Sequence, residues 1–189
     1  MKRLFIITAI ALLSSCAQYS VVESGQQTIG PMTVTPSHEW NKVPKNASLG
    51  GLPTWTADGI TLDTITFFAD IEDGKTLIEP KKKDEQYPIF QANMLPTELV
   101  DVFESTLAKA YQAKITQSGQ LKPLMLDGTP GFQYTFEFVT PDELTRKGYI
   151  AGIIKNNNLH MVFYQAAKLY YFDHQYQNVE NMVNGMTIN

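Results

Sequence analysis

The chain has 189 residues, and its imidazole and thiol chemistry could come only from His38, His160, His174 and Cys16. No two histidines stand three or four positions apart, so no helix face presents a pair to a metal, and the HExxH pattern is absent. Asp70-Ile71-Glu72-Asp73-Gly74 gathers oxygen ligands beside a glycine. It lacks the alternating acids and distant closing glutamate of a calcium loop, and reads as a turn. No GxSxG elbow, SxxK pair or glycine-rich phosphate loop occurs. Asp58, Asp63, Glu137 and Glu143 are the acids available for a hydrolase dyad. Such chemistry needs two carboxyls held about 5 to 9.5 Å apart, and sequence spacing does not bring them there. No catalytic residue, metal or cofactor is expected.

Cys16 is different, because of what precedes it. Lys2 and Arg3 are basic, Leu4 to Leu13 are almost wholly apolar, and Ser14 and Ser15 are small. This is the layout of a secretory signal, and the apolar run falls short of the about 20 residues that span a bilayer. Leu13-Ser14-Ser15-Cys16 resembles the lipobox of bacterial lipoproteins. The resemblance implies cleavage between Ser15 and Cys16, a diacylglyceryl group on the thiol and acylation of the new amine. Two or more acyl chains anchor a protein stably where one binds marginally. In that family an aspartate after the cysteine retains the protein at the inner membrane. Ala17 stands there instead, which implies the periplasmic face of the outer membrane.

A lipidated Cys16 leaves the domain without a free thiol, so it must hold together by packing. The net charge is −4, and more negative once Lys2 and Arg3 leave with the signal. That balance argues against nucleic acid and against docking on anionic headgroups. The length suits one domain.

The elements follow from periodicity and turn residues. Residues 1–15 are the signal, and residues 16–31, polar and aperiodic after the cysteine, read as a flexible tether. Residues 32–189 form the domain. Met32 to Pro36 is a short strand, and Asn41 to Pro53, rich in Asn, Gly, Pro and Lys, is a loop. Gly59 to Ile71 favours a strand, Asp73-Gly74 a turn, and Leu77-Ile78 a short return strand. Pro80 to Glu85 is a solvated loop. Pro96 suits the first position of a helix whose apolar face is Leu99, Val102, Phe103, Thr106, Leu107 and Ala110. That helix ends near Tyr111 to Lys114.

Ile115 to Leu126 reads as one or two strands broken near Ser118-Gly119. Phe132, Tyr134, Phe136 and Phe138 alternate with polar residues along one strand. Lys155 to Asn158 turns a hairpin between Tyr149–Ile154 and Leu159–Ala166. A last helix starts near Asp173 as its cap, packs through Tyr176, Val179, Met182 and Val183, and ends at Gly185. Met186 to Ile188 packs back on the sheet. Strands, helix, antiparallel strands, helix make an α+β domain, an antiparallel sheet covered by helices.

That order resembles small envelope lipoproteins with a PsbP-like fold, an α/β/α sandwich. The stretch Trp55 to Asp63 (WTADGITLD), Gly131-Phe132, Arg146-Lys147-Gly148 and Tyr170-Tyr171-Phe172 resemble motifs of uncharacterised proteobacterial lipoproteins of this kind. The resemblance implies a binding or adaptor module and no enzyme, and carries no catalytic residues.

Aromatics are the remaining signal. Tyr164, Tyr170, Tyr171 and Tyr176 crowd the last strand and helix, and could either line a ligand groove or pack the helix on the sheet. The leading expectation is a non-catalytic, lipid-anchored module that binds another envelope protein. A carrier or sensor of a small apolar ligand is the alternative, and an envelope hydrolase the third.

Overall fold

A computed structural model describes residues 20–80 and 85–189 of the chain. The expected signal segment, Ser15, Cys16 and residues 81–84, part of the expected solvated loop, lie outside the described residues.

The first strands are short: β1 (Ser20–Val22), β2 (Gln27–Ile29), β3 (Met32–Val34), β4 (Trp40–Lys42) and β5 (Thr54–Thr56). Then come β6 (Asp63–Ile71), helix α1 (Pro96–Tyr111), β7 (Lys114–Ser118), β8 (Lys122–Leu126) and β9 (Thr129–Val139). The chain closes with β10 (Thr145–Lys155), β11 (Asn158–Ala167), α2 (Tyr171–Asn184) and β12 (Thr187–Ile188).

Among the described residues the main sheet runs β1-β4-β5-β6-β11-β10-β9-β7, with β8 also paired to β9, and every pairing in it is antiparallel. A second sheet, β12-β3-β2, is small. One core joins α1 to the sheet face of Phe68, Phe132, Phe136, Phe138, Ile150 and Phe163. The other joins α2 and the small sheet to the opposite face, through Ile65, Phe67, Tyr149, Val162 and Tyr164. The sheet is thus covered on both sides.

Local chemistry explains the main elements. Pro96 is the first helical residue of α1, and Glu98 reaches back to accept the Leu95 N–H at 2.7 Å. Gln112 ends that helix in the left-handed region, φ 52°. The anticipated Asn hairpin has positive φ at Asn156 and Asn157, as a two-residue primed turn requires. Asp127 and Gly128 turn β8 into β9 in the same way, a DG signal the sequence carries. The Asp127 carboxylate then accepts from Lys155 Nζ at 2.7 Å and from the Ile188 N–H at 3.2 Å, while Lys155 also donates to the Ile188 carbonyl. This pins β12 beside the hairpin.

Four expectations need correction. The tether does not extend to residue 31: β1 pairs with β4, β2 pairs with β3, and Val22 and Ile29 are buried. Three-residue strands are too short to show alternation, and their partners are visible only in the fold. Trp40–Lys42 is likewise a strand at the edge of the expected loop, which goes on into two short 3-10 turns. Leu77 and Ile78 form no return strand; both side chains enter the α1 core from irregular backbone. Asp173 is not the cap of α2. Tyr170 holds that position, and Asp173 sits within the first turn, 3.1 Å from Lys147 Nζ.

Phe103 holds α1 to the sheet. Its ring centroid lies 4.9 Å from that of Phe163, 5.8 Å from Phe136 and 6.2 Å from Phe68. Phe103→Ala leaves a cavity among three rings, and a loss of about 3–5 kcal/mol is expected. Urea unfolding checks it: the midpoint should fall with the slope unchanged, and a loss within about 0.5 kcal/mol would show that the helix is not held there.

Candidate functional site

β6, β10 and β11 meet at one end of the sheet, beside the last turn of α1. On the α1 face their side chains change from apolar to polar: Thr64, Arg146 and Gln165 succeed the phenylalanines. Gln165 Nε2 donates to Thr64 Oγ1 and to Tyr111 Oη, each at 3.1 Å. Gln165 is 6% exposed, and its Oε1 is buried with no partner among the described residues. Burial raises the Tyr111 phenol above its ordinary range, so the hydroxyl keeps its proton.

Arg146 is 8% exposed. Its Nη2 donates to the Thr61 carbonyl at 2.8 Å. The ion pairs among the described residues are Lys147–Asp173, Lys155–Asp127 and Lys168–Glu137, and Arg146 is in none of them. Burial lowers its pKa, opposed by the fields of Asp142 and Tyr111. A guanidinium so enclosed loses hydration that no carboxylate in direct contact replaces, Asp142 acting only through its field. It borders an open cavity of about 430 Å³, together with Thr61, Thr64, Tyr111, Gln165 and the Asp142 carboxylate, which lies beyond ion-pair distance.

The carbonyl that holds Arg146 belongs to the turn before β6, and Asp63 builds that turn. Asp63 is fully buried. Its Oδ1 accepts the Asp58 N–H at 2.7 Å and the Thr56 hydroxyl at 2.9 Å, and its Oδ2 accepts the Ala57 N–H at 3.1 Å. Thr56 Oγ1 in turn accepts the Gly59 N–H. Burial raises the Asp63 pKa, and the two backbone N–H groups and Thr56 draw it partly back. The WTADGITLD stretch is thus a carboxylate-organised turn that delivers Thr61.

The Arg146-Lys147-Gly148 stretch divides its residues between the two faces. Arg146 enters the cavity. Lys147 faces α2, where its Nζ lies 5.2 Å from the Phe172 ring centroid. Gly148 lies under the Phe136 ring, where a Cβ would collide with the ring carbons.

The four tyrosines of the proposed groove do not share one. Tyr164 is fully buried, and its hydroxyl donates to the Tyr171 carbonyl at 3.1 Å. Tyr176 stacks on Phe172 at 5.2 Å and meets Tyr149 edge-on. It borders a separate cavity of about 380 Å³ with Phe172, Lys147 and Asp173. Tyr170 is 63% exposed, stacked on His174. Its φ of 75° and ψ of −59° make a tight γ-turn closed by the Tyr171 N–H on the Leu169 carbonyl. Tyr171 meets Tyr170 edge to face at 5.3 Å. The inward side of β11 and the turn at Tyr170 send these rings in different directions.

The histidines have separate surroundings. His38 stacks on Trp40, His174 on Tyr170, and buried His160 accepts the Asp70 N–H on Nδ1 at 3.3 Å. Of the candidate dyad acids, Asp58 and Asp63 share the turn, Glu137 pairs with Lys168, and Glu143 sits in the tight turn before β10. Arg146, Gln165 and Tyr111 were not singled out as a site from the sequence. The polar residues at inward-facing positions were the available signal.

The architecture is a PsbP-like fold. The chain is similar to the cyanobacterial PsbP protein CyanoP of Synechocystis sp. PCC 6803, with a TM-score of 0.57 and 12% identity over 93% of this chain and 95% of that one. At that identity the likeness is one of fold. No family model and no curated protein matches the chain.

Two outcomes are expected. Asp63→Asn sets an amide where two N–H groups need acceptors and costs about 1–3 kcal/mol in urea unfolding; an unchanged midpoint would rule out the turn-organising role. His160 adds a pH dependence. Its folded pKa is lowered, mainly by burial, so the unfolded chain takes the proton first. Its contribution is complete above the unfolded value of about 6.5 and is lost as pH falls through it toward the folded value. Between pH 7.5 and 5.5 the wild type should therefore lose more stability than His160→Gln. Equal losses would assign the dependence to other groups.

Proposed function

We propose that the protein is a non-catalytic, lipid-anchored binding module of the bacterial envelope, at the periplasmic face of the outer membrane. Its ligand enters the polar cavity at Arg146 and Gln165. The observation that carries the binding role is the buried guanidinium without an ion-pair partner, bordering open space beside an amide oxygen with no partner. A cation desolvated in this way gains from an incoming anion. The anchoring role rests on the signal layout and on Cys16. The likeness of the WTADGITLD and Arg146-Lys147-Gly148 stretches to motifs of uncharacterised proteobacterial lipoproteins supports the same reading.

The corrected domain boundary bears on the geometry of the anchor. β1 begins at Ser20, four residues after Cys16. Four residues reach at most about 14 Å. The domain is therefore held close to the bilayer, within reach of partners in the same membrane and of ligands at its surface.

Fractionation of cells producing the full chain checks the anchor. Wild type should sediment with the outer membrane and take up labelled palmitate. Cys16→Ala should lose the label and leave the membrane after processing elsewhere, or stay unprocessed at the inner membrane. Wild-type protein in the soluble fraction without label would sink the reading.

A further inference from the structure

Resting on the binding role just proposed, the geometry points to a ligand class for the Arg146 cavity: a carboxylate bearing a hydroxyl or N–H donor on the carbon next to it. Arg146 is a planar donor fork whose one hydrogen bond among the described residues is to Thr61. A carboxylate matches such a fork in shape and charge. A carboxylate alone leaves Gln165 Oε1 unsatisfied, and a buried acceptor without a donor is costly. Both donors of the Gln165 amide go to Thr64 and Tyr111 in the structure, which leaves its oxygen as the free atom. The ligand must therefore bring an acceptor for Arg146 and a donor for Gln165.

Both groups line one cavity, and their strands place them on the same face: Arg146 pairs with Ala167, two residues beyond Gln165 on β11. Two ligand groups on neighbouring carbons meet that requirement. The Tyr111 hydroxyl, accepting from Gln165 and kept protonated by burial, has its own proton left for a second carboxylate oxygen. A phosphodiester or a dianionic phosphate monoester satisfies Arg146 equally well, yet brings no donor for Gln165. Inorganic phosphate keeps a P–OH at neutral pH and is therefore the competitor the titration has to exclude. An apolar ligand would strand both polar groups. The chemistry has two sources, a free hydroxy or amino acid and the C-terminus of a polypeptide, whose last amide N–H stands next to its carboxylate.

The test is a titration of the full chain in detergent micelles, followed by NMR of the Gln165 side-chain amide and the Arg146 guanidinium. The probes are lactate, propionate, lactamide, inorganic phosphate and N-acetyl-Ala-Ala with a free or amidated end. Lactate or free-ended acetyl-Ala-Ala should shift both groups. Propionate, lacking the donor, should bind on the order of tenfold more weakly than lactate, the fold-change of one hydrogen bond. Lactamide and the amidated peptide, lacking the charge, should not saturate.

Tighter binding by lactate assigns a free acid, and tighter binding by the free-ended peptide assigns a chain terminus. Gln165→Leu should erase the preference for lactate over propionate while keeping carboxylate binding. Arg146→Gln should abolish both, with a retained amide spectrum showing that it folds. Equal binding of lactate and propionate, or saturation by phosphate alone, overturns the ligand class and leaves the binding role standing. No response of Arg146 to any anion overturns both.

Discussion

From Leu159 to Ala167 every residue of β11 is buried, because α1 covers one face of the sheet and α2 the other. A strand enclosed on both sides has no wet face on which to place a polar side chain. Each polar group on it needs a protein partner or leaves an unsatisfied atom. His160 and Tyr164 find partners, His160 at the Asp70 N–H and Tyr164 at the Tyr171 carbonyl. Gln165 satisfies its nitrogen and not its oxygen, and it does so where the α1 core gives way to the cavity. The candidate site is therefore a place where the enclosure of β11 is incomplete.

The same enclosure explains how distant segments act together there. Asp63 holds the turn before β6, the turn presents the Thr61 carbonyl, and that carbonyl orients Arg146 from β10. A buried carboxylate with three donors acts as a fixed acceptor. Arg146 makes no contact ion pair and feels Asp142 only through its field. The two buried charges thus have different roles, Asp63 in building and Arg146 in recognition.

Much of this fold was legible in the sequence where patterns are long. The alternation of Phe132, Tyr134, Phe136 and Phe138 read correctly because an eleven-residue strand repeats its period several times. Helix α1 showed its proline start and most of its apolar stripe, Val100 being the buried residue the pattern left out. The Asn156-Asn157 turn announced itself through residues that tolerate positive φ. Short elements failed for the opposite reason. Val22 and Ile29 are single buried residues in three-residue strands, and a single residue has no period. Leu77 and Ile78 were apolar enough to suggest a strand, yet burial alone does not require one.

The chain by itself determined where charge and thiol chemistry stand, the α1 stripe, the β9 alternation and the turns, because these are properties of neighbours in sequence. Only the tertiary structure decided which tyrosines are core and which are surface, since Tyr164 and Tyr170 differ in packing and not in type. It also decided that Thr64, Tyr111, Arg146 and Gln165 meet. They come from four separate elements, and their significance lies in a guanidinium without a contact ion pair and an unmatched oxygen. Such vacancies become visible only when the chain has closed and the neighbouring polar groups have found their partners.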